Sequence, residues 1–185
     1  MLVVIAGPSG VGKGSIVRSL LARDDRLWFS VSLNTRAPRP GEVDGVDYWF
    51  VDRDEFLRLR DAGGLLEWFQ VYDDLKGTPR APVEEHLAAG DDVVLELDVQ
   101  GAKAVRAAFP DAVLVFVKPP SREVQRERLF ARDPHVDPAV LERRLDEAET
   151  EEAQAADFDA VVVNDDLSRA VAEVAATLQA RREAP

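Results

Sequence analysis

Four short apolar runs mark the chain, at residues 2–6, 93–97, 113–117 and 160–163. Each is rich in Val, Leu or Ala and almost free of polar residues. A strand with one wet face alternates, whereas a strand covered on both faces does not, so these runs read as strands of a parallel sheet. Between them the period changes. Residues 15–23 and 98–109 read as helices, residues 121–131 and 138–157 carry helical faces dense in Arg and Glu, and Leu167, Val171, Val174 and Leu178 form one stripe at helical spacing. Alternation of strand and helix predicts an α/β fold, three layers thick, around a parallel core sheet.

Residues 28–89 break this rhythm. They hold Pro38, Pro40, Gly41, Gly45, Gly63, Gly64, Gly77, Pro79, Pro82 and most of the aromatic side chains. The pattern predicts an insertion with strands at 47–51 and 65–71 around a helix at 54–62. Residues 133–138 (DPHVDP) predict a second loop, between two Arg-bearing helices. A chain of 185 residues suits one domain, which can bury roughly 70% of its unfolded surface. The expected division is a core of 1–29 and 90–185, an insertion of about 30–89, and a helical segment of about 122–147 within the core.

Composition narrows the chemistry. The chain has no Cys, which removes thiol catalysis, thiolate metal sites and disulfides together. Its net charge of −12, from 35 acids and 23 bases, would repel a polyanion, so no nucleic-acid partner is expected. No apolar run reaches the ~18–20 residues of a membrane helix. The opening MLVVIAGPSG reads as a strand entering a Gly-rich loop rather than a secretion signal, so a cytoplasmic protein without a membrane partner is expected.

Gly7, Pro8, Ser9, Gly10, Val11, Gly12, Lys13, Gly14 and Ser15 follow the first buried run and open a helix. The string approaches G-x-x-x-x-G-K-[ST], in which glycines turn backbone amides toward phosphate oxygens and Lys reaches the terminal phosphates. The eighth position is Gly14, and the hydroxyl arrives one residue later, at Ser15. A Mg²⁺ ion would therefore use Ser15 or keep a water where a hydroxyl would sit. A second anion site is legible at Arg36 and Arg39, stiffened by Pro38 and Pro40, with the Tyr48 hydroxyl nearby. The bland alternative is a pair of solvated surface arginines.

Together these strings resemble a guanylate kinase: GPSGVGKGS, SVSLNTRAPRPGEVDGVDYWF, LLEW, KGT, LELDVQGAK, RLFARD and VVNDDL. The similarity runs along the whole chain in the expected order, and R-x-x-R-x-G-E-x-x-G-x-D-Y is its most specific part. The resemblance implies a nucleoside monophosphate kinase fold whose insertion binds GMP and whose segment 122–147 is a lid. It implies transfer of phosphate from ATP, with Mg²⁺, to GMP and to dGMP. Arg36, Arg39, Glu42, Tyr48, Lys76 and Gly77 would hold the GMP phosphate, and Ser32, Glu67, Thr78 and Asp98 would read guanine. Lys13 and the loop amides would hold the ATP phosphates. Arg128, Arg132 and Arg144 would act with Lys13 and Arg36 on the transferring group, and Asn164 would lie near adenine. Ser15 and Glu96 would face the metal. The state expected in solution is a monomer or small homo-oligomer.

Five changes depart from the family pattern. Gly14-Ser15 replaces Ser-Thr, Asn34 replaces Thr, Lys76 replaces Tyr, Glu96 replaces Asp, and 132–135 replaces R-G-T-E with a longer lid. Lys76 either donates to the GMP phosphate in place of the Tyr hydroxyl or faces solvent beside Asp73 or Asp74. His86 and His135 read as surface groups, and Asp98 as a helix cap as well as a ligand. Two alternatives to an active GMP kinase remain at this level: a catalytically weak binding module of the same family, and a kinase of the same fold with another phosphorylated acceptor.

Overall fold

The structure, a computed structural model, describes residues 1–39, 41–71 and 73–184. The expected stiffening by Pro40, and Tyr72 of the loop before Lys76, lie outside them. Strand β1 (Leu2–Ala6) is the middle of a five-stranded sheet. It pairs with β7 (Asp92–Glu96) on one side and β8 (Val113–Lys118) on the other, and β2 (Leu27–Phe29) and β9 (Ala160–Val163) form the edges. All four pairings are parallel. The period of two sends β1 to both faces. Val3 and Ile5 pack with Ile16, Val17 and Leu20 of α1 (Lys13–Leu21) and with Val171, Val174 and Leu178 of α7 (Leu167–Glu183). Leu2, Val4 and Ala6 pack with Val83 of α3 (Arg80–Ala89) and with Ala102 and Val105 of α4 (Val99–Ala108). This is the expected parallel sheet covered on both faces.

The insertion builds a second sheet, in the order β4 (Trp49–Phe50), β3 (Leu33–Asn34), β6 (Asp74–Pro79), β5 (Leu65–Val71). Its small core is Leu33, Leu65, Leu75 and Phe56, the last from α2 (Arg53–Asp61). The β-depleted string Asp74-Leu75-Lys76-Gly77 hides β6 in the sequence; pairing with β3 and β5 on both sides overrides the propensity. Gly77 has a packing reason as well: a Cβ there would come within 2.9 Å of the Glu67 carbonyl and 3.1 Å of the Phe56 ring. The expected strand at 47–51 contracts to Trp49–Phe50, and the edge strand β2, only three residues long, carries no pattern of its own. Helices α5 (Arg122–Arg132) and α6 (Pro138–Glu152) follow β8 and are joined through Leu129, Leu141 and Leu145. The expected helix at 138–157 stops at Glu152, and a 3₁₀ turn, Ala155–Asp157, follows.

Candidate active site

Residues 7–12 connect β1 to α1 and end in Gly12, which supplies no side-chain cap. The first-turn amides of α1 are thus left for an anion. Gly7 stands at φ +138° with its Cα so close to the Val117 carbonyl of β8 that a Cβ would overlap it. Three side chains hold the loop's carbonyls from outside. Gln125 Nε2 donates to Ser9 (2.8 Å), Asn164 Nδ2 to Val11 (2.7 Å) and Arg128 Nη1 to Val11 (3.3 Å). Arg128 Nη2 also donates to the Asn164 carbonyl (2.9 Å). Arg128 thus clamps the loop from α5, and the Asn164 amide is bonded beneath it, contacts that the sequence does not announce. Sequence reasoning missed Gln125, although a lone amide four residues before Leu129 on a buried stripe is a usable signal. Lys13 Nζ lies inside the loop, donating to the carbonyls of Gly7 (2.5 Å) and Pro8 (3.0 Å). Burial lowers its pKa, against the opposing field of Glu96.

Across from the loop, Arg36 makes a two-pronged pair with Glu42, both bonds 2.6 Å, and the Arg39 amide donates to the same carboxylate (2.8 Å). Glu42, expected at the substrate, is therefore spent on shaping the arginine turn. The Arg36 guanidinium lies 5.2 Å from the Tyr48 ring centre and 5.6 Å from that of Phe50. Arg39 has its pKa lowered, first by burial and then by the fields of Arg36, Arg132 and Arg144. Arg36, Arg132 and Arg144 thus lie near enough to Arg39 for their charges to act on it.

The third group sits where β5 meets α4. A register shift between Leu65 and Glu67 breaks the alternation of β5 and turns the Glu67 side chain inward. Glu67 is 5% exposed. Its Oε1 accepts from Thr78 Oγ1 at 2.6 Å, and its Oε2 is buried without a partner. Burial pushes its pKa up to about 7, against the Thr78 bond. Asp98 caps α4, with Oδ1 accepting from the Gly101 amide at 2.7 Å. A Cβ on Gly101 would lie 3.4 Å from both Asp98 Oδ1 and Glu67 Oε2, so the two carboxylates meet over one glycine. Ser32 is buried in the same insertion, and its carbonyl accepts from the Trp49 amide.

Between these groups stand Lys76 and Glu96. Lys76 alternates with Leu75 and Gly77 on β6, so it points away from the Phe56 core. Its ammonium lies 3.5 Å from the Glu96 carbonyl and 5.3 Å from the Tyr48 ring centre, which places it in the cleft and away from Asp73 and Asp74. Burial lowers its pKa, but Tyr48, Glu96, Glu67 and Asp98 outweigh that and the net shift is upward. Glu96 ends β7 beside α1. Among the described residues no cluster of three or more His, Cys, Asp and Glu could cage a metal. The Glu96 carboxylate beside Gly14 and the Ser15 hydroxyl are hard oxygens at the loop's helix, and they fit Mg²⁺ held mainly by phosphates and water. Sequence reasoning also missed Glu151 of α6. Its Oε2 is buried without a partner, and burial raises its pKa to about 7 against the field of Lys13.

The remaining candidates lie outside this convergence. His86 stacks on Trp28 at 3.8 Å and shares a 2.7 Å bond with Asp91, so it is part of the packing rather than a free surface group; His135 is exposed. A cavity of about 430 Å³ lined by Met1, Leu2, Leu87, Phe109 and Arg182 lies at the opposite end of β1.

Comparison with known proteins agrees with the geometry. A family model described as guanylate kinase matches residues 1–181. The guanylate kinase of Symbiobacterium thermophilum is 51% identical over 182 residues, 98% of this chain and 86% of that protein. That of Mycobacterium sp. (strain MCS) is 51% identical over 179 residues, 96% of this chain and 90% of that protein. The crystal structure of guanylate kinase from Anaplasma phagocytophilum superposes with a TM-score of 0.83 at 32% identity, covering 100% of this chain and 87% of the other. A sugar kinase from Janibacter sp. shares the fold more distantly, with a TM-score of 0.56 and 18% identity. A phosphate loop facing an arginine turn and the Glu67–Asp98 carboxylate pair, on a chain matched over nearly its whole length by these relatives, places the protein in the guanylate kinase family.

Proposed function

We propose a residue-level account of the family's reaction, ATP-dependent phosphorylation of GMP to GDP, as this chain carries it out. Glu67 and Asp98 accept the N1–H and exocyclic amine of guanine, and Thr78 and Ser32 complete the base pocket. Adenine would present an acceptor where guanine presents N–H and would leave a buried carboxylate unpaired; a mismatch of that kind can cost on the order of 10⁴-fold in specificity. Arg36, Arg39, Tyr48 and Lys76 bind the GMP phosphate, with Glu42 fixing the arginine turn. Lys13 and the amides of residues 9–15 bind the ATP phosphates.

A phosphate oxygen of GMP attacks the γ-phosphorus, the bond to the β-phosphate oxygen breaks, and ADP leaves. The step needs positioning and charge neutralisation rather than a general base. Lys13, Arg132 and Arg144 carry the neutralising charge, while Arg128 and Asn164 hold the loop in shape. Ser15 and Glu96 would hold Mg²⁺ on its protein side, and the ion, when bound, would supply positive charge to the transferring phosphate. The insertion of about 30–89 acts as the GMP-binding unit, and 122–147 as a lid whose α5 is tied to the loop.

The observation that carries this reading is the buried, unpartnered Glu67 Oε2 facing Asp98 over Gly101. A coupled ADP-release assay with GMP, dGMP, AMP and UMP tests it. Turnover of GMP and dGMP far above AMP and UMP is expected; equal turnover of AMP would contradict it.

A further inference from the structure

Gly14 occupies the place where a phosphate loop ordinarily carries Ser or Thr, the residue whose hydroxyl faces the metal. The structure supplies a physical counterpart to that missing hydroxyl. A Cβ on Gly14 would lie 3.3 Å from Glu96 Oε2, 4.0 Å from Glu96 Oε1 and 3.6 Å from Arg18 Nη1. The gap over Gly14 is therefore walled by the carboxylate of Glu96, reaching across from the end of β7, and by Arg18 one turn on. The same Arg18 reaches the next residue, its Nη2 lying 3.5 Å from Ser15 Oγ.

The main chain holds Glu96 in place. Its register partner on β1 is Ile5, so its Cα is fixed close to the start of the loop. Its side chain reaches over the first turn of α1, where its field acts on both Lys13 and Lys76. A serine at position 14 would push its hydroxyl into the space Glu96 now borders. An aspartate at position 96, one methylene shorter, would withdraw from that space and leave it open.

We propose that Gly14 and Glu96 form an interdependent pair. The longer carboxylate at 96 takes over the cation-facing place that a hydroxyl at 14 would hold, and each residue is tolerated because of the other. The pairing rests on the nucleotide-binding reading of the loop, and it makes Glu96 the principal protein oxygen toward the divalent ion, through a bound water or directly.

Mn²⁺ as a spin-active probe tests this without relying on turnover. Free Mn²⁺ is titrated by electron paramagnetic resonance in the presence of the non-hydrolysable analogue AMP-PNP, for the wild type, Glu96→Gln, Glu96→Asp, Gly14→Ser and the double variant Gly14→Ser/Glu96→Asp. Glu96→Gln should weaken Mn²⁺ binding by ~10-fold or more, within the range seen when groups around a metal are altered. Each of the other single variants should weaken it several-fold, and the double variant should return to within about twofold of wild type, a departure from additivity expected of residues in contact. Mn²⁺ affinity within twofold of wild type in Glu96→Gln, or losses that add in the double variant, would overturn the pairing. Because Glu96→Gln changes almost no volume, it decides the matter even if the Gly14 variants fold poorly. Metal-free binding of a fluorescent ATP analogue to the wild type separates the two levels. Nucleotide binding with an unmoved Mn²⁺ affinity overturns the pairing alone, whereas no nucleotide binding overturns the loop assignment beneath it.

Discussion

Glu67 carries a cost in the fold that the proposed guanine contact would offset. Its folded-state pKa of about 7 compares with an ordinary value of 4.5, and the cause is burial. Between those two values the folded protein keeps a proton that the unfolded chain has released. Stability conferred by that proton is therefore present at low pH and falls as pH rises from about 4.5 to 7. The cost of ionising the buried group is on the order of 3 kcal/mol. Glu151 adds a slope of the same sign. Thermal melts across this range should decline more shallowly in Glu67→Gln than in wild type; identical slopes would show that Glu67 is not ionised at a cost in the folded state. In the proposed site guanine would offset the cost, because its two N–H groups would satisfy the ionised form. A group left unpaired in the fold is thus the group best placed to select the ligand.

At the scale of elements, the phosphate loop is shaped as much by its neighbours as by its own glycines. Helix α5 reaches it through Gln125 and Arg128, and the residue after β9 reaches it through Asn164. Gln125→Ala would leave the Ser9 carbonyl without its donor, at a cost of ~1–3 kcal/mol. A lower melting temperature and a several-fold higher KM for ATP are expected, with KM for GMP within about twofold; an unchanged KM for ATP would show that the clamp does not shape the nucleotide site. These cross-chain bonds explain what the sequence made legible. The four apolar runs and the glycine loop are local signals, so the core strands and the loop were readable to within a residue or two. Strand β6 was not, because Asp74, Lys76 and Gly77 disfavour strands and only the partners on either side hold them there. The site was readable as residue types at family spacings. The contacts of Arg128, Asn164 and Glu42 were not, since each depends on which carbonyl or guanidinium lies opposite in space. Gln125 and Glu151 carry no motif and become visible only through burial.

Over the whole molecule, an excess of 12 negative charges surrounds a basic site in which the charges of Arg36, Arg132 and Arg144 act on Arg39, and that of Lys76 on Lys13. An acidic surround repels polyanions, while a local basic site attracts a small dianion. The parallel sheet delivers the loop, Glu96 and Asp98 at the carboxyl ends of neighbouring strands β1 and β7, the usual place for a ligand in such a fold. The second sheet then brings Glu67, Thr78 and Lys76 against them from the insertion. The central claim is that these two units meet around guanine. The most direct test compares kcat/KM for GMP with that for AMP in wild type, Glu67→Gln and Asp98→Asn. Each variant replaces an acceptor pair by a mixed donor and acceptor, and the GMP preference should shrink by ~10–100-fold, matching the ~1.5–3 kcal/mol of a hydrogen bond to a charged group. A GMP-to-AMP ratio that stays at its wild-type value in both variants would contradict the account and move guanine recognition elsewhere.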